Sequence, residues 1–241
     1  MAIQQGAAER FGTVEFYAAL GRAFVGMCAV VPVLFLIELL DLATGHRLDQ
    51  VGGVRPHDVS GLDGVIFSPF LHGNFPHLYG NSVPLIITGT FVLARGVKRF
   101  LWVTAMVALI SGVGVWLIGK PHTTVIGASG VIFGYLGYLL VRGIVERSWW
   151  GISVGVLVGL LYGWTISGLV YHDPAVAWQA HLFGLLGGVV AAVVLRQRRL
   201  RRPAVTEPTL IDVPTLVDGP VAATPAAPVV GFDTEVLKKP E

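Results

Sequence analysis

The chain has 241 residues, 54% of them hydrophobic and 13% charged, with a mean hydropathy of +0.70 and a formal net charge of +2. Soluble domains carry nearer ~25% charged residues, so the composition excludes an ordinary soluble domain and reads as an all-α polytopic membrane protein. A charge so near balance says little about partners, and nothing points to nucleic acid.

A helix that crosses a bilayer needs about 20 mostly apolar residues. Six stretches meet that need, roughly 21–40, 76–95, 100–119, 123–141, 150–171 and 176–195. Backbone polar groups in lipid must be satisfied within their own segment, so spans of this length are helices and not barrel strands. Residues 1–20 form a segment ahead of the first span. They do not read as a cleaved signal peptide, because Glu9, Arg10 and Glu15 precede a run as long as a full span and no small-residue cleavage site follows it. The single Cys28 lies inside the first span, so no intrachain disulfide is expected.

Orientation follows from the cations. Arg10 and Arg22, then Arg95, Lys98 and Arg99, then Arg142 and Arg147, and finally the run Arg196 to Arg202 all fall on one side. The other side has only Arg47, Arg55 and Lys120 in its loops. The positive-inside rule makes the first side cytoplasmic, with both termini there. Short loops and the lack of Cys pairs favour a bacterial plasma membrane. Residues 197–241 differ in kind. From Pro203 onward they hold half of the prolines, show no helical period, and repeat Pro208-Thr209-Leu210-Ile211-Asp212 as Pro214-Thr215-Leu216-Val217-Asp218. This segment reads as a disordered cytoplasmic tail, with the repeat either a bland linker or the docking point of a cytoplasmic partner.

This topology brings chemistry to one level. With the fourth span entering near Thr123, Ser129 lies six residues down, or roughly 9 Å. The sixth span enters from the same face near Ala175, which puts His181 at a matching depth. A serine hydroxyl is a poor nucleophile until a base takes its proton, and an imidazole is costly in hydrocarbon unless it has a partner. The second span also starts at this face, and His77 and Asn81, four residues apart, share one side of it. Small residues explain a close approach: Gly130 and Gly134 in the fourth span, and Ala180, Gly184 and Gly188 in the sixth, recur at spacings of four.

These residues carry a resemblance. Gly127-Ala128-Ser129-Gly130, Ala180-His181-Leu182-Phe183-Gly184 and His77-Leu78-Tyr79-Gly80-Asn81, in that arrangement on the fourth, sixth and second spans, are similar to the motifs of the rhomboid intramembrane serine proteases. The likeness covers residues 20–196, and the stretch from Phe70 through His72 to Asn81 shares it. It implies a six-helix rhomboid domain over 21–196 with both ends cytoplasmic. It also implies a Ser129–His181 dyad that cleaves single-span membrane proteins near the outer face, preferring a small residue before the cut.

By the same resemblance, His77, Asn81 and the Ser129 backbone N–H bind the oxyanion, flanked by Gly127 and Gly130. His72 ties the first loop to the second span, and Gly184 supports the close packing. The residue one turn after the serine, often tyrosine in the family, is Phe133, which keeps a ring to stack on His181 but has no hydroxyl. A Trp-Arg pair common in the family's first loop is absent from 46–70. Asp173, before the sixth span, is a weak candidate for a third member of the site. Gly151, Gly155, Gly159 and Gly163 mark the fifth span as a candidate gate. The chemistry calls for no cofactor and no metal.

Three other function classes were weighed. A metal enzyme or metal transporter fits the seven outward histidines, but no HExxH pair or carboxylate set with close ligand spacing lies in the spans. A non-catalytic relative that binds transmembrane clients is the main alternative, although this chain keeps both serine and histidine. A small-molecule transporter lacks inverted repeats and evident intramembrane charges.

Overall fold

The structure, a computed structural model, describes residues 11–162 and 177–196. Among these residues regular structure is helical throughout, and β pairing is limited to one isolated antiparallel bridge between Val54 and Val125. The long helices are α1 (Val14–Ala43), α4 (Phe75–Leu93), α5 (Val97–Ile118), α6 (Ser129–Val145), α7 (Trp149–Tyr162) and α8 (Trp178–Val194). Two short helices, α2 (Arg47–Gly52) and α3 (Gly64–Phe67), and two 3-10 turns (Val59–Gly61 and Ser68–Phe70) fold the connection from α1 to α4. The 197–241 tail, the end of the fifth apolar stretch, Gly163 and Asp173 lie outside the described residues.

Local chemistry sets the helix starts. Thr13 Oγ1 accepts the Phe16 N–H at 3.2 Å and caps α1. Asn74 Oδ1 accepts the His77 N–H at 2.8 Å, and Pro76 in the first turn of α4 has no N–H to leave unpaired. The inner helix is α6. Every residue from Gly130 to Leu139 is buried, and α4, α5, α7 and α8 all pack on it. By contrast α1 and α5 present Phe24, Val33, Leu36, Leu101, Trp102 and Leu109 outward. Those two helices are long and apolar enough to cross a membrane, whereas α6, α7 and α8 are shorter apolar helices.

Two of the expected spans need correction at the site end. The fourth does not begin at residue 123: Thr123 to Ala128 are non-helical, and α6 starts at Ser129 itself. Thr123, Thr124, Val125 and Ile126 are four β-branched residues in a row, which favours extended chain, and Gly127 adopts φ +117°, which stops any helix. Ser129 is thus the first helical residue, not one buried two turns down. Similarly α8 starts at Trp178, so His181 is in its first turn. The first helix extends beyond 21–40 at both ends and carries Glu38 and Asp41, buried, in its last two turns.

The first loop is anchored without a Trp-Arg pair inside it. Val54 and Val125 exchange two backbone hydrogen bonds of 2.9 Å. Arg55 donates to the carbonyls of Val51 and Ser60 and pairs with Asp58, while Trp116 of α5 donates its indole N–H to the Asp58 carbonyl at 2.8 Å. Asp49 in α2 is crowded: burial, then the adjacent Asp41 carboxylate, push its carboxyl up to about 6. In α7, Gly155 faces the Leu139 carbonyl and Gly159 the Leu140 side chain. Those glycines pack α7 closely on α6.

At the opposite end of the bundle one carboxylate gathers three cations. Glu146, just past α6, pairs with Arg142 at 2.9 Å, Arg99 at 3.1 Å and Arg95 at 3.2 Å, all with side chains largely covered. Arg99 also donates to the Leu195 carbonyl at the end of α8, at 3.1 Å. Burial alone would raise the Glu146 carboxyl, but the three guanidinium groups together hold it below the usual range. Replacing Glu146 by Gln leaves three arginines facing one another without their anion. Breaking a buried pair from one side costs about 3–5 kcal/mol. The melting temperature of E146Q in detergent is therefore expected several degrees below wild type, and an unchanged value would show the cluster to be dispensable.

Candidate active site

Ser129 and His181 meet where α6 and α8 begin. Ser129 Oγ lies 3.0 Å from His181 Nε2. The carbonyl-lined faces of the two helices touch because glycines leave room: a Cβ on Gly184 would strike the Gly130 backbone, and one on Gly188 the backbone of Gly134 and Tyr138. Ser111 of α5 donates to the Ala180 carbonyl at 2.9 Å and pins the start of α8. The imidazole of His181 is held on its flat side by Phe133, with ring centroids 4.2 Å apart and planes 7° from parallel. Its Nδ1 is buried and has no hydrogen-bond partner among the described residues. The Ser129 hydroxyl can donate to Nε2 only when the ring proton sits on Nδ1, which settles the tautomer this contact requires.

The loop ahead of Ser129 is built around Gly127. Its φ of +117° suits only glycine, and a Cβ there would also approach His77 Cε1 and Nε2 at 2.7 and 2.9 Å. The Gly127 N–H donates to the Ser68 carbonyl at 2.9 Å. Asn81 Nδ2 lies 3.7 Å from the same Cβ position and is a buried donor without a partner among the described residues. His77 Nδ1 contacts the His72 carbonyl at 2.7 Å, and since a carbonyl only accepts, Nδ1 carries a proton. Because Ser129 is the first residue of α6, the N–H groups of its opening turn have no helical partners and point toward this space. A cavity of about 20 Å³ between Ser68, Ser111, Gly127, Gly130 and Ala180 adjoins it, room for one water.

His72 sits behind this wall, 1% exposed, with Nε2 accepting the Ala128 N–H at 3.4 Å. It therefore links the segment before α4 to the loop before α6. Burial first, and the neighbouring His77 second, push its pKa down to about 4. All nine residues singled out in the sequence, Ser129, His181, His77, Asn81, Gly127, Gly130, Phe133, Gly184 and His72, thus fall in one neighbourhood. Glu38 was not among them. Its buried side chain lies near the His72 backbone, and its signal in the sequence was a lone acid inside an apolar run.

Comparison with known proteins gives these residues a family context. The rhomboid domain family matches residues 61–198. An uncharacterised protein of Mycobacterium tuberculosis is 43% identical over 173 residues, 68% of this chain and 72% of that one. YdcA of Bacillus subtilis, named as a candidate rhomboid protease, is 26% identical over 194 residues, 80% of this chain and 92% of its own. The rhomboid protease GluP of the same organism is 32% identical over 132 residues, 52% of this chain and 24% of its own.

Two expectations come from the geometry. Gly127→Ala should abolish function while the helical bundle persists by circular dichroism, because both the backbone and His77 oppose the methyl group; an active variant would show that the loop is not held as described. The second concerns pH. Folded His72 stays neutral to about pH 4, whereas the unfolded side chain protonates near 6.5. Between those values the unfolded chain binds more protons, so stability present above pH 6.5 is lost as pH falls through the window, on the order of 3 kcal/mol at most. Thermal unfolding from pH 7 to 4 should show that decline, and His72→Gln should flatten it; equal slopes in both proteins would count against the assignment.

Proposed function

The chain belongs to the rhomboid family, whose members are all-helical integral membrane proteins, and from that premise we propose that it is an intramembrane serine endopeptidase working through Ser129 and His181. The observation that carries the proposal is the 3.0 Å contact between Ser129 Oγ and His181 Nε2 under the stacked ring of Phe133.

In this reading Oγ attacks the scissile carbonyl as its proton passes to Nε2. Collapse of the tetrahedral intermediate breaks the peptide C–N bond, and Nε2 returns the proton to the leaving amine. His181 then deprotonates a water that hydrolyses the acyl-enzyme. The sequence of roles is that of the serine triad without its carboxylate, and among the described residues Nδ1 of His181 has no carboxylate partner.

The intermediate's negative oxygen needs donors already in place. Asn81 Nδ2 offers one, and the Ser129 N–H, at the positive end of α6, offers another. His77 is more restricted. With Nδ1 committed to the His72 carbonyl, its Nε2 donates only when the ring is protonated. Of the two side chains, Asn81 is the one that donates whatever the protonation state of the imidazole.

Membrane placement completes the proposal. The arginines around Glu146 mark the cytoplasmic end, so the Ser129 end faces outward, with six spans in a bacterial plasma membrane and both termini inside. Substrates are single-span membrane proteins that unwind near the outer face, where helix-weak residues such as glycine expose a peptide bond. Residues 21–196 then form the protease domain, and 197–241 a cytoplasmic tail.

The test is cleavage of a model single-span substrate by purified protein in liposomes, together with labelling by a fluorophosphonate. Ser129→Ala and His181→Ala should each abolish both signals. Asn81→Ala should lower kcat by about 10²–10³-fold with KM little changed, as expected for a donor used in the transition state. A wild-type protein inert to several substrates and to the probe would move the client-binding reading to the front.

A further inference from the structure

The turn after α1 gathers ligand-type side chains that the dyad does not use. Asp41, in the last turn of α1, is fully buried. Its Oδ1 accepts the N–H groups of Leu48 at 2.7 Å and Asp49 at 3.3 Å, which caps α2, and its Oδ2 lies 3.0 Å from His46 Nδ1. Gly45 and His46 both adopt positive φ, so the chain doubles back and brings His46 over Asp41. His46 Nδ1 is also 3.7 Å from Asp49 Oδ2. One ligand atom from each of Asp41, His46 and Asp49 lies within 4.8 Å of the others.

A second, independent observation concerns Asp49. The residue is 9% exposed and its side chain 12%, its Oδ2 lies toward His46, and its Oδ1 is a buried acceptor with no hydrogen-bond partner among the described residues. Native proteins rarely leave such an oxygen unpaired. Glu38, one turn earlier on α1, adds a further carboxylate nearby. A group that carries positive charge and accepts several oxygens would relieve both the repulsion and the unpaired acceptor.

Geometry narrows the ligand. Around a tetrahedral ion with bonds of ~2.1 Å, neighbouring ligand atoms lie ~3.4 Å apart. The separations of 3.0 and 3.7 Å from His46 Nδ1 to the two carboxylates lie on either side of that spacing, and the two carboxylates come within 4.8 Å of each other. Two carboxylates with one imidazole suit zinc and its first-row neighbours, whereas calcium and magnesium take six or more oxygens. The half-exposed His46 puts one side of the cluster within reach of solvent.

We propose that Asp41, His46 and Asp49 form a binding site for a zinc-type divalent cation. The bound ion would brace the turn after α1 against the segment leading into α4. Asp49 Oδ2 lies 3.4 Å from the space a Cβ on Gly73 would fill. The site stands apart from the dyad and does not depend on the protease reading.

The experiment uses full-length protein purified on a tag without histidines, stripped with a chelator and then titrated with zinc against a chromophoric zinc indicator. Wild type and Ser129→Ala should each bind one zinc per chain and gain several degrees in melting temperature. His46→Ala and Asp49→Asn should bind at least tenfold more weakly and gain nothing. Melting of the metal-free variants checks that they fold; the exposed position of His46 makes its replacement the milder one. If wild type binds no more zinc than His46→Ala and melts at the same temperature with and without it, the carboxylates share a proton and the proposal fails. Stabilisation by calcium but not zinc would equally overturn it.

Discussion

The rest of the structure depends on how closely the backbones of α6 and α8 approach. Inside lipid there is no hydrophobic drive between helices, so association rests on close packing. The glycine at 184 lies on the Gly130 backbone, and the one at 188 on that of Gly134. Any side chain at these places would push the helices apart by the width of a methyl group or more, and a 3.0 Å hydrogen bond does not survive such a shift. The same contact positions Phe133 over the imidazole, so one packing decision sets the distance and orientation of His181 relative to Ser129.

A second constraint acts at the helix start. Because Ser129 opens α6, its hydroxyl sits beside N–H groups that the helix cannot use itself. A serine two turns inside would have had its neighbouring amides already bonded. The break in the chain is enforced from both sides: four β-branched residues pair with the first loop through Val125, and Gly127 then turns the chain under His77 and Asn81. The loop from α1 to α4 is thereby part of the site's wall, tied to it through Val54, Ser68 and His72.

Charge is concentrated at the two ends of the bundle in opposite ways. At one end a single carboxylate, Glu146, is over-supplied with arginines and ties the ends of α4, α5, α6 and α8 together. At the other, Glu38, Asp41 and Asp49 crowd together with the His46 imidazole beside them. The first arrangement is electrostatically complete. The second is not, which is why it invites a cation.

Much of this was legible in the amino-acid order. Hydropathy located the long helices, because a span must be apolar for about twenty residues whatever its neighbours. Spacing placed His77 with Asn81, and the family motifs picked out Ser129 and His181. Other features are properties of contacts between distant segments. The onset of α6 depended on Val125 finding Val54, and the place of the buried Asn81 donor on where Gly127 turned. The grouping of Asp41, His46 and Asp49 needed two positive-φ residues to fold the chain back. Periodicity along one segment reports what that segment buries, but only the tertiary fold decides which polar atoms from different segments meet, and which are left without a partner.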